Sequence, residues 1–200
     1  MLGIVRFPTG DGLDDTVRAL TVSGIEHVEI TLDTPGALEA IERAASAGAV
    51  IGAGTVVRAE QVRACADSGA RFVVSPGCVP DVAAAARALG LAAIPGALSP
   101  TEILTAIRLG SEAVKLFPAS LGGPAYLRSI RGPFPSTRFV PTGGIGLDDV
   151  PGYLAAGAAF VGLGASLVGR TTPTSPGDLR AIEERARRAM TLAEDAPQPG

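Results

Sequence analysis

Short apolar runs alternate with longer amphipathic segments along almost the whole chain. Residues 34–48 are an example of an amphipathic segment, because Leu38, Ile41 and Ala45 recur at helical spacing on one side. The apolar runs between such segments have the length of buried strands. Regular alternation of one strand with one helix predicts a parallel sheet covered by helices.

Glycines mark the points where the predicted helices end. A glycine after the last helical turn can adopt the left-handed backbone that other residues avoid. Together with a first strand at residues 3–5, these glycines define eight strand–helix units. Seven glycines precede a predicted strand at intervals of 20 to 25 residues: Gly24, Gly48, Gly69, Gly90, Gly110, Gly132 and Gly157.

Eight near-equal units predict a single α/β domain, a (β/α)8 TIM barrel with an added C-terminal helix. We expect this domain to span residues 1–195 and residues 196–200 to be a disordered tail. The alternative is an open doubly wound sheet. Residues 150–169 carry no charge and have about the length of a membrane helix, but Pro151 and five glycines predict a helix, a turn, a strand and a loop.

Charge and composition argue against several classes of function. The formal net charge is -3 and the pI is about 5.2, so we expect neither nucleic acid nor an anionic membrane as a partner. Cys65 and Cys78 follow no secretion signal, which predicts free thiols and a cytoplasmic location. The single histidine, His27, is expected either in the core or directly behind the site residues. This inventory does not supply a typical catalytic zinc site, whereas a carboxylate-held magnesium ion stays open.

Lys115 is the only lysine among 17 lysine and arginine residues, and it ends the sixth predicted strand. Catalytic groups of barrels lie at the carboxyl ends of the strands. A lysine amine can lose its proton and attack a carbonyl, and the apolar neighbours Val114 and Leu116 disfavour its charged form. The pattern predicts a nucleophile, and the alternatives are a surface lysine or a simple phosphate-binding cation.

Glu29 lies near the end of the second predicted strand, where alternation turns His27, Glu29 and Thr31 to one face. A carboxylate inside a barrel is costly and is normally retained for proton transfer or to pair a cation. We therefore predict an acid/base group, with a structural ion pair to Lys115 or Arg6 as the alternative.

Glycine-rich turns end the last two predicted strands, at residues 141–146 and 162–166. Backbone N–H groups in such turns can bind a phosphate, and the loops after strands seven and eight are the usual phosphate site of a barrel. A phosphate is therefore expected here, with Gly164 and Ala165 in the second turn.

Five motifs identify the chain as similar to one known family over nearly its whole length. They lie, in order, at residues 29–34, 52–56, 75–77, 115–120 and 141–145. With these motifs the sequence resembles the family of 2-keto-3-deoxy-6-phosphogluconate (KDPG) aldolase and 4-hydroxy-2-oxoglutarate (KHG) aldolase. The resemblance implies a class I Schiff-base aldolase that cleaves KDPG or its galactonate epimer to pyruvate and D-glyceraldehyde 3-phosphate, with KHG as a further substrate.

The resemblance also implies roles for individual residues. Lys115 would form the Schiff base, and Glu29 would be the general acid/base. The groups around the pyruvyl part would be Thr55, Pro76, Phe117 and Thr142, and those around the phosphate would include Gly143, Gly144 and Ser166. The family further implies a homotrimer that needs no cofactor.

The sequence departs from the family at two points. Asp33 stands where the gluconate-type enzymes have an arginine, whereas Arg6 resembles a substrate-binding position of the galactonate branch and Thr142 resembles the gluconate type. The C4 epimer preference therefore stays open. The predicted first strand lacks the helix that usually precedes it, so we expect either a truncation or compensation by the last helix. Two other functions stay open: a phosphate-binding isomerase or synthase, and a non-catalytic sugar-phosphate sensor.

Overall fold

The computed structural model describes residues 1–197 and has the predicted alternation of strands and helices. The strands are β1 (Leu2–Val5), β2 (His27–Thr31), β3 (Val50–Gly54), β4 (Phe72–Val74), β5 (Ala92–Ile94), β6 (Gly96–Ala97), β7 (Val114–Leu116), β8 (Phe139–Pro141) and β9 (Gly162–Leu163). The helices are α1 (Leu13–Val22), α2 (Ala37–Ser46), α3 (Ala59–Asp67), α4 (Pro80–Ala88), α5 (Pro100–Arg108), α6 (Gly123–Arg131), α7 (Val150–Ala155), α8 (Ala165–Val168) and α9 (Pro176–Glu194). Within residues 1–197, none of these helices has the length and apolar character needed to cross a bilayer.

The strands form a curled parallel sheet, which makes this an α/β fold. Six strands pair in the order β5-β4-β3-β2-β1-β9, and three pair in the order β6-β7-β8. A parallel bridge between Thr142 and Gly162 joins the end of β8 to β9. Except between β5 and β6, helices lie between successive strands, as the sequence pattern predicts.

The structure has nine strands where the sequence predicts eight, because the fifth is interrupted at Pro95. Proline has no N–H group, so a strand ladder cannot continue through it. The Pro95 carbonyl nevertheless accepts a hydrogen bond from the Lys115 backbone N–H at 2.9 Å. The interruption therefore leaves β7 attached to the fifth strand at the position of the lysine.

Six of the seven helix-ending glycines have the predicted left-handed backbone, for example Gly24 at φ 94°. The prediction is wrong for Gly132, which has φ -47° and ψ -58°. Its N–H group donates to the Ser129 carbonyl, so the chain continues the right-handed turn of α6 for one more residue.

The inner face of the curled sheet changes from apolar to polar along the strands. Toward the carboxyl ends of the strands, this face carries the polar residues Glu29, Lys115 and Thr142. At the amino ends, the His27 ring lies 5.4 Å from the Phe160 ring, away from these polar groups. The apolar floor consists of inward-facing side chains, which are Leu2, Ile4, Phe72, Val74, Ala113 and Val140.

The last helix, α9, packs against α1 with Ile182 and Ala186 buried. It begins at a capping box in which Ser175 accepts a hydrogen bond from the Asp178 backbone N–H. Of the tail predicted at residues 196–200, residues 198–200 lie outside the described residues. Both Cys65 and Cys78 are free thiols, as the sequence predicts.

Candidate active site

An open cavity of about 1090 Å³ lies at the carboxyl ends of the strands. Every side chain or turn that the sequence predicts for the site lines this one cavity: Arg6, Glu29, Thr55, Pro76, Lys115, Phe117, Thr142, Gly143, Gly144, Gly164, Ala165 and Ser166. These residues are up to 160 positions apart in the chain. The parallel sheet brings them together because all its strands end at the same edge.

Lys115 lies in the middle of β7 with its side chain on the inner face of the sheet. The residue is 8% exposed, and its Nζ atom lies 5.2 Å from the centroid of the Phe117 ring. The neighbours Val114 and Leu116 point to the opposite face and are fully buried under the helices. The Lys115 side chain therefore extends from a buried strand into the cavity. This position disfavours the alternative of a solvated surface lysine.

Glu29 is 1% exposed and faces the same cavity from β2. Within residues 1–197, neither oxygen of its carboxylate has a hydrogen-bond partner. Burial raises the pKa of this carboxyl group and Asp33 adds to the rise, while the charges of Lys115 and Arg6 oppose it. Glu29 therefore makes no structural ion pair in the described part of the chain. Both carboxylate oxygens are free to hydrogen-bond to a ligand.

Arg6 follows β1 and is fixed at the mouth of the cavity. Its Nη2 donates to the Thr55 hydroxyl at 2.8 Å, and its Nε lies 3.1 Å from an Asp33 carboxylate oxygen. Among the described non-glycine residues, Thr55 alone has a positive φ, at 59°. Such backbone strain persists where the surrounding structure enforces it, as it does in many binding sites.

The turn after β8 packs closely against the turn after β7. Gly143 and Gly144 have φ values of 93° and 71°, and a Cβ atom on Gly143 would lie 2.8 Å from the Phe117 ring. A Cβ atom on Gly144 would lie 2.5 Å from the Ser120 hydroxyl oxygen. Glycine is therefore required at both positions, which keeps the backbone of this turn accessible from the cavity.

Ser166 lies in the short helix α8 that follows β9, and it lines the same cavity. Its hydroxyl oxygen is buried and has no hydrogen-bond partner in the described part of the chain. A buried polar atom without a hydrogen-bond partner is costly. The hydroxyl of Ser166 is therefore available to a polar ligand.

Sequence reasoning missed Arg170, which also lines the cavity. The side chain is exposed, and no carboxylate of residues 1–197 lies within ion-pair distance of it. The signal was available, since Arg170 is the first cation after the second glycine-rich turn. It adds a positive charge on the side where the sequence predicts a phosphate.

Comparison with known proteins gives one consistent family. The family described as KDPG and KHG aldolase matches residues 1–184. A 2-dehydro-3-deoxy-phosphogluconate aldolase of Treponema pallidum is 42% identical over 158 residues, which cover 76% of this chain and 75% of the relative. A probable 2-dehydro-3-deoxy-6-phosphogalactonate aldolase of Rhizobium meliloti is 36% identical over 197 residues, covering 96% of this chain and 90% of the relative.

Two solved structures extend the likeness to three dimensions. A native KDPGal structure superposes with a TM-score of 0.90 at 31% identity, covering 98% of this chain and 94% of that one. The KDPG aldolase of Legionella pneumophila, which holds pyruvate as a covalent carbinolamine intermediate, superposes with a TM-score of 0.76 at 29% identity. This second alignment covers 97% of this chain and 94% of the Legionella chain.

Proposed function

The chain belongs to the family of KDPG and KHG aldolases, and we propose that it cleaves 2-dehydro-3-deoxy-6-phosphogluconate or its galactonate epimer to pyruvate and D-glyceraldehyde 3-phosphate. The observation that carries this proposal is the meeting of Lys115 with an unpaired, buried Glu29 in one cavity. An amine and a carboxylate without a partner in one cavity are the groups that imine chemistry uses. The isomerase, synthase and sensor alternatives would not require it.

The reaction begins with the amine of Lys115. Its nitrogen attacks the C2 ketone of the substrate to form a carbinolamine, which loses one water to give a protonated imine. Glu29 exchanges the protons of this step, because its carboxyl group faces the cavity from β2. The cationic imine then draws electrons from the C3–C4 bond.

Cleavage transfers one proton to Glu29. Its carboxylate accepts the proton of the C4 hydroxyl, the C3–C4 bond breaks, and the electron pair enters the imine system to form an enamine. D-glyceraldehyde 3-phosphate leaves as the aldehyde product. Glu29 returns the proton to C3, and one water hydrolyses the imine to release pyruvate and restore Lys115.

The pyruvyl part of the substrate is held by the residues around these two groups. Thr55 and Thr142 offer hydroxyls, while Pro76 and Phe117 offer apolar walls that keep water from the enamine. Arg6, fixed on Thr55, provides the positive charge for the substrate carboxylate.

The phosphate is proposed to lie between the two glycine-rich turns. Gly143, Gly144, Gly164 and Ala165 offer backbone N–H groups, and Ser166 adds a buried hydroxyl without a partner. Arg170 supplies a cation on this side. The same cavity without its phosphate contacts would hold the shorter KHG, which is why that compound is proposed as a second substrate.

The test is reduction with sodium borohydride in the presence of pyruvate, followed by intact mass and peptide mapping. We expect a stable pyruvyl adduct on Lys115 in the wild type and none in Lys115→Ala. Lys115→Arg is a matched control because it retains the positive charge but cannot form the imine. No adduct in the wild type would contradict the proposal.

Two finer structural features are also proposed. The strands form a closed eight-stranded barrel within a single domain at residues 1–195, supported by the bridge of Thr142 to Gly162 and by the Lys115 to Pro95 hydrogen bond. A crystal structure with continuous pairing between β8 and β9 would establish closure, and a gap there would exclude it.

The protein is further proposed to be a cytoplasmic homotrimer. The free thiols of Cys65 and Cys78 fit a reducing compartment. Exposed apolar side chains on and after α5 support an interface, since Leu104 and Ile107 are each 43% exposed and Leu121 is 72% exposed. Light scattering should give three times the chain mass of 20.1 kDa, and a monomeric mass would contradict the assembly.

A further inference from the structure

The mouth of the cavity contains an arginine that is both exposed and fixed. The Arg6 side chain is 59% exposed, yet Asp33 holds its Nε at 3.1 Å and Thr55 accepts from its Nη2 at 2.8 Å. A free arginine would sample many rotamers at such a position. The contacts at Nε and Nη2 together restrict the position of the guanidinium.

The charges in the cavity indicate which substrate group Arg6 meets. Once C2 is bound to Lys115, the C1 carboxylate is one bond away from the reacting carbon. Of the two guanidinium groups that line the cavity, Arg170 belongs to the segment after β9, on the phosphate side. Arg6 donates to Thr55, one of the residues proposed to hold the pyruvyl part, so it lies on the side of the reacting carbons.

The hydrogen bonds of Arg6 leave donors for a ligand. A guanidinium has five N–H groups in a fixed planar fork. The Nε–H donates to the Thr31 hydroxyl at 3.4 Å and one Nη2 donor is bound to Thr55, while the Asp33 carboxylate lies 3.1 Å from Nε as an ion pair. The Nη1 donors and the second Nη2 donor therefore remain for a carboxylate.

We infer that Asp33 is a positioning residue, which holds the Arg6 guanidinium against Thr55 so that its remaining N–H groups bind the C1 carboxylate of the substrate. The inference rests on the proposed function, because that function supplies the carboxylate. Asp33 acts through Arg6 and does not contact the substrate. Without Arg6, a carboxylate at residue 33 would only repel the anionic substrate.

The ion pair between Asp33 and Arg6 could either hinder or favour substrate binding, and the two possibilities predict opposite effects of removing the Asp33 charge. If Asp33 competed with the substrate for Arg6, removal of its charge would improve binding. If it positions Arg6, the same removal weakens binding, because the guanidinium regains its rotamers. Asp33→Asn keeps the size of the side chain and removes the charge.

The experiment uses pyruvate, which has the carboxylate and the ketone but no phosphate. We expect Asp33→Asn to raise the half-saturating pyruvate concentration for borohydride trapping by about two- to five-fold, the scale of a partly exposed ion pair. The maximal trapping rate should stay close to that of the wild type. Asp81→Asn is the matched control, since it removes one charge from an exposed residue that does not line the cavity.

A double-mutant cycle separates positioning from a general structural effect. Arg6→Gln should itself raise the half-saturating concentration, and Asp33→Asn in that background should add nothing further. Asp33→Glu should restore part of the loss. Thermal unfolding of each variant checks that the fold is retained.

Three outcomes would overturn the inference: an unchanged or lower half-saturating concentration in Asp33→Asn, an additive double variant, or no rescue by Asp33→Glu. Failure of the proposed function is distinguishable, because it would appear as no adduct in the wild type. Calorimetric titration with pyruvate would still compare the affinities of the wild type and Asp33→Asn in that case.

Discussion

Gly54 on β3 leaves the space that the Glu29 carboxylate on β2 occupies. A Cβ atom at residue 54 would overlap with the carboxylate oxygen Oε1 of Glu29. The glycine is thus required by the side chain of the neighbouring strand, since its own backbone has no positive φ. The proposed proton transfer by Glu29 therefore depends on the absence of a methyl group at residue 54.

Gly54→Ala should displace the Glu29 carboxylate and reduce kcat by about 100-fold, because small misplacements of catalytic groups have effects of that size. Steady-state cleavage assays measure the change. Gly77→Ala is a matched control, since a Cβ atom there has nothing within 4 Å and its φ is not positive. Equal activity of the two variants would contradict the steric argument.

Glu29→Gln should separate activity from stability. We expect kcat to fall by about 10² to 10⁴-fold, the usual contribution of a general acid/base. The free energy of unfolding should rise at neutral pH by about 1–3 kcal/mol, because a buried charge without a partner is removed. A variant that loses stability, measured by urea unfolding, would argue for a hidden partner of Glu29.

The pH dependence of this stability gain has a defined sign. Burial raises the pKa of Glu29 in the folded protein. The penalty is therefore absent below the unfolded-state pKa of about 4.3, where both states are protonated. It grows as the pH rises from there to the folded-state pKa and is constant above it. The wild type and Glu29→Gln should consequently converge in stability at low pH.

Cleavage activity should depend on the same ionisation. Glu29 must be ionised to accept the C4 hydroxyl proton, so kcat/KM should fall on acidification with a midpoint above about 4.3, the ordinary value of a glutamate. Asp33→Asn should move that midpoint to lower pH, because the negative charge of Asp33 raises the pKa of Glu29. A midpoint that did not respond would assign the acidic limb to another group.

Arg170→Gln should affect phosphorylated and unphosphorylated substrates differently. The KM for KDPG or its epimer should rise about ten-fold, since a charge-assisted contact contributes roughly 1.5 kcal/mol. The KM for KHG should change little. Arg63→Gln, on the exposed side of α3, is the control for the loss of one charge. Equal effects on both substrates would exclude a phosphate contact.

Much of the site could be predicted from local sequence. Lys115 is conspicuous as the single lysine, Glu29 as a charged residue in an apolar run, and the glycine-rich turns by composition. The parallel fold then brings these groups to one edge, because every strand ends there. The motif order added the family, which the comparisons confirm.

Other features required distances that no local pattern contains. The interruption of the fifth strand at Pro95 depends on how β7 pairs beside it. The right-handed helical backbone of Gly132 depends on the turn that follows α6. Glycine has many allowed conformations, so its neighbours in space decide which one it adopts.

The sequence by itself determined the alternation of strands and helices, because that alternation follows from periodicity. Its residue chemistry predicted Lys115 as a nucleophile, and its motifs identified the family. Only the tertiary structure decided that Asp33 pairs with Arg6, that Glu29 has no partner among the described residues, and that Arg170 lines the cavity. Each of these depends on a contact, or the lack of one, between groups distant in the chain. Electrostatic interactions vary with distance and burial, and a linear sequence specifies neither.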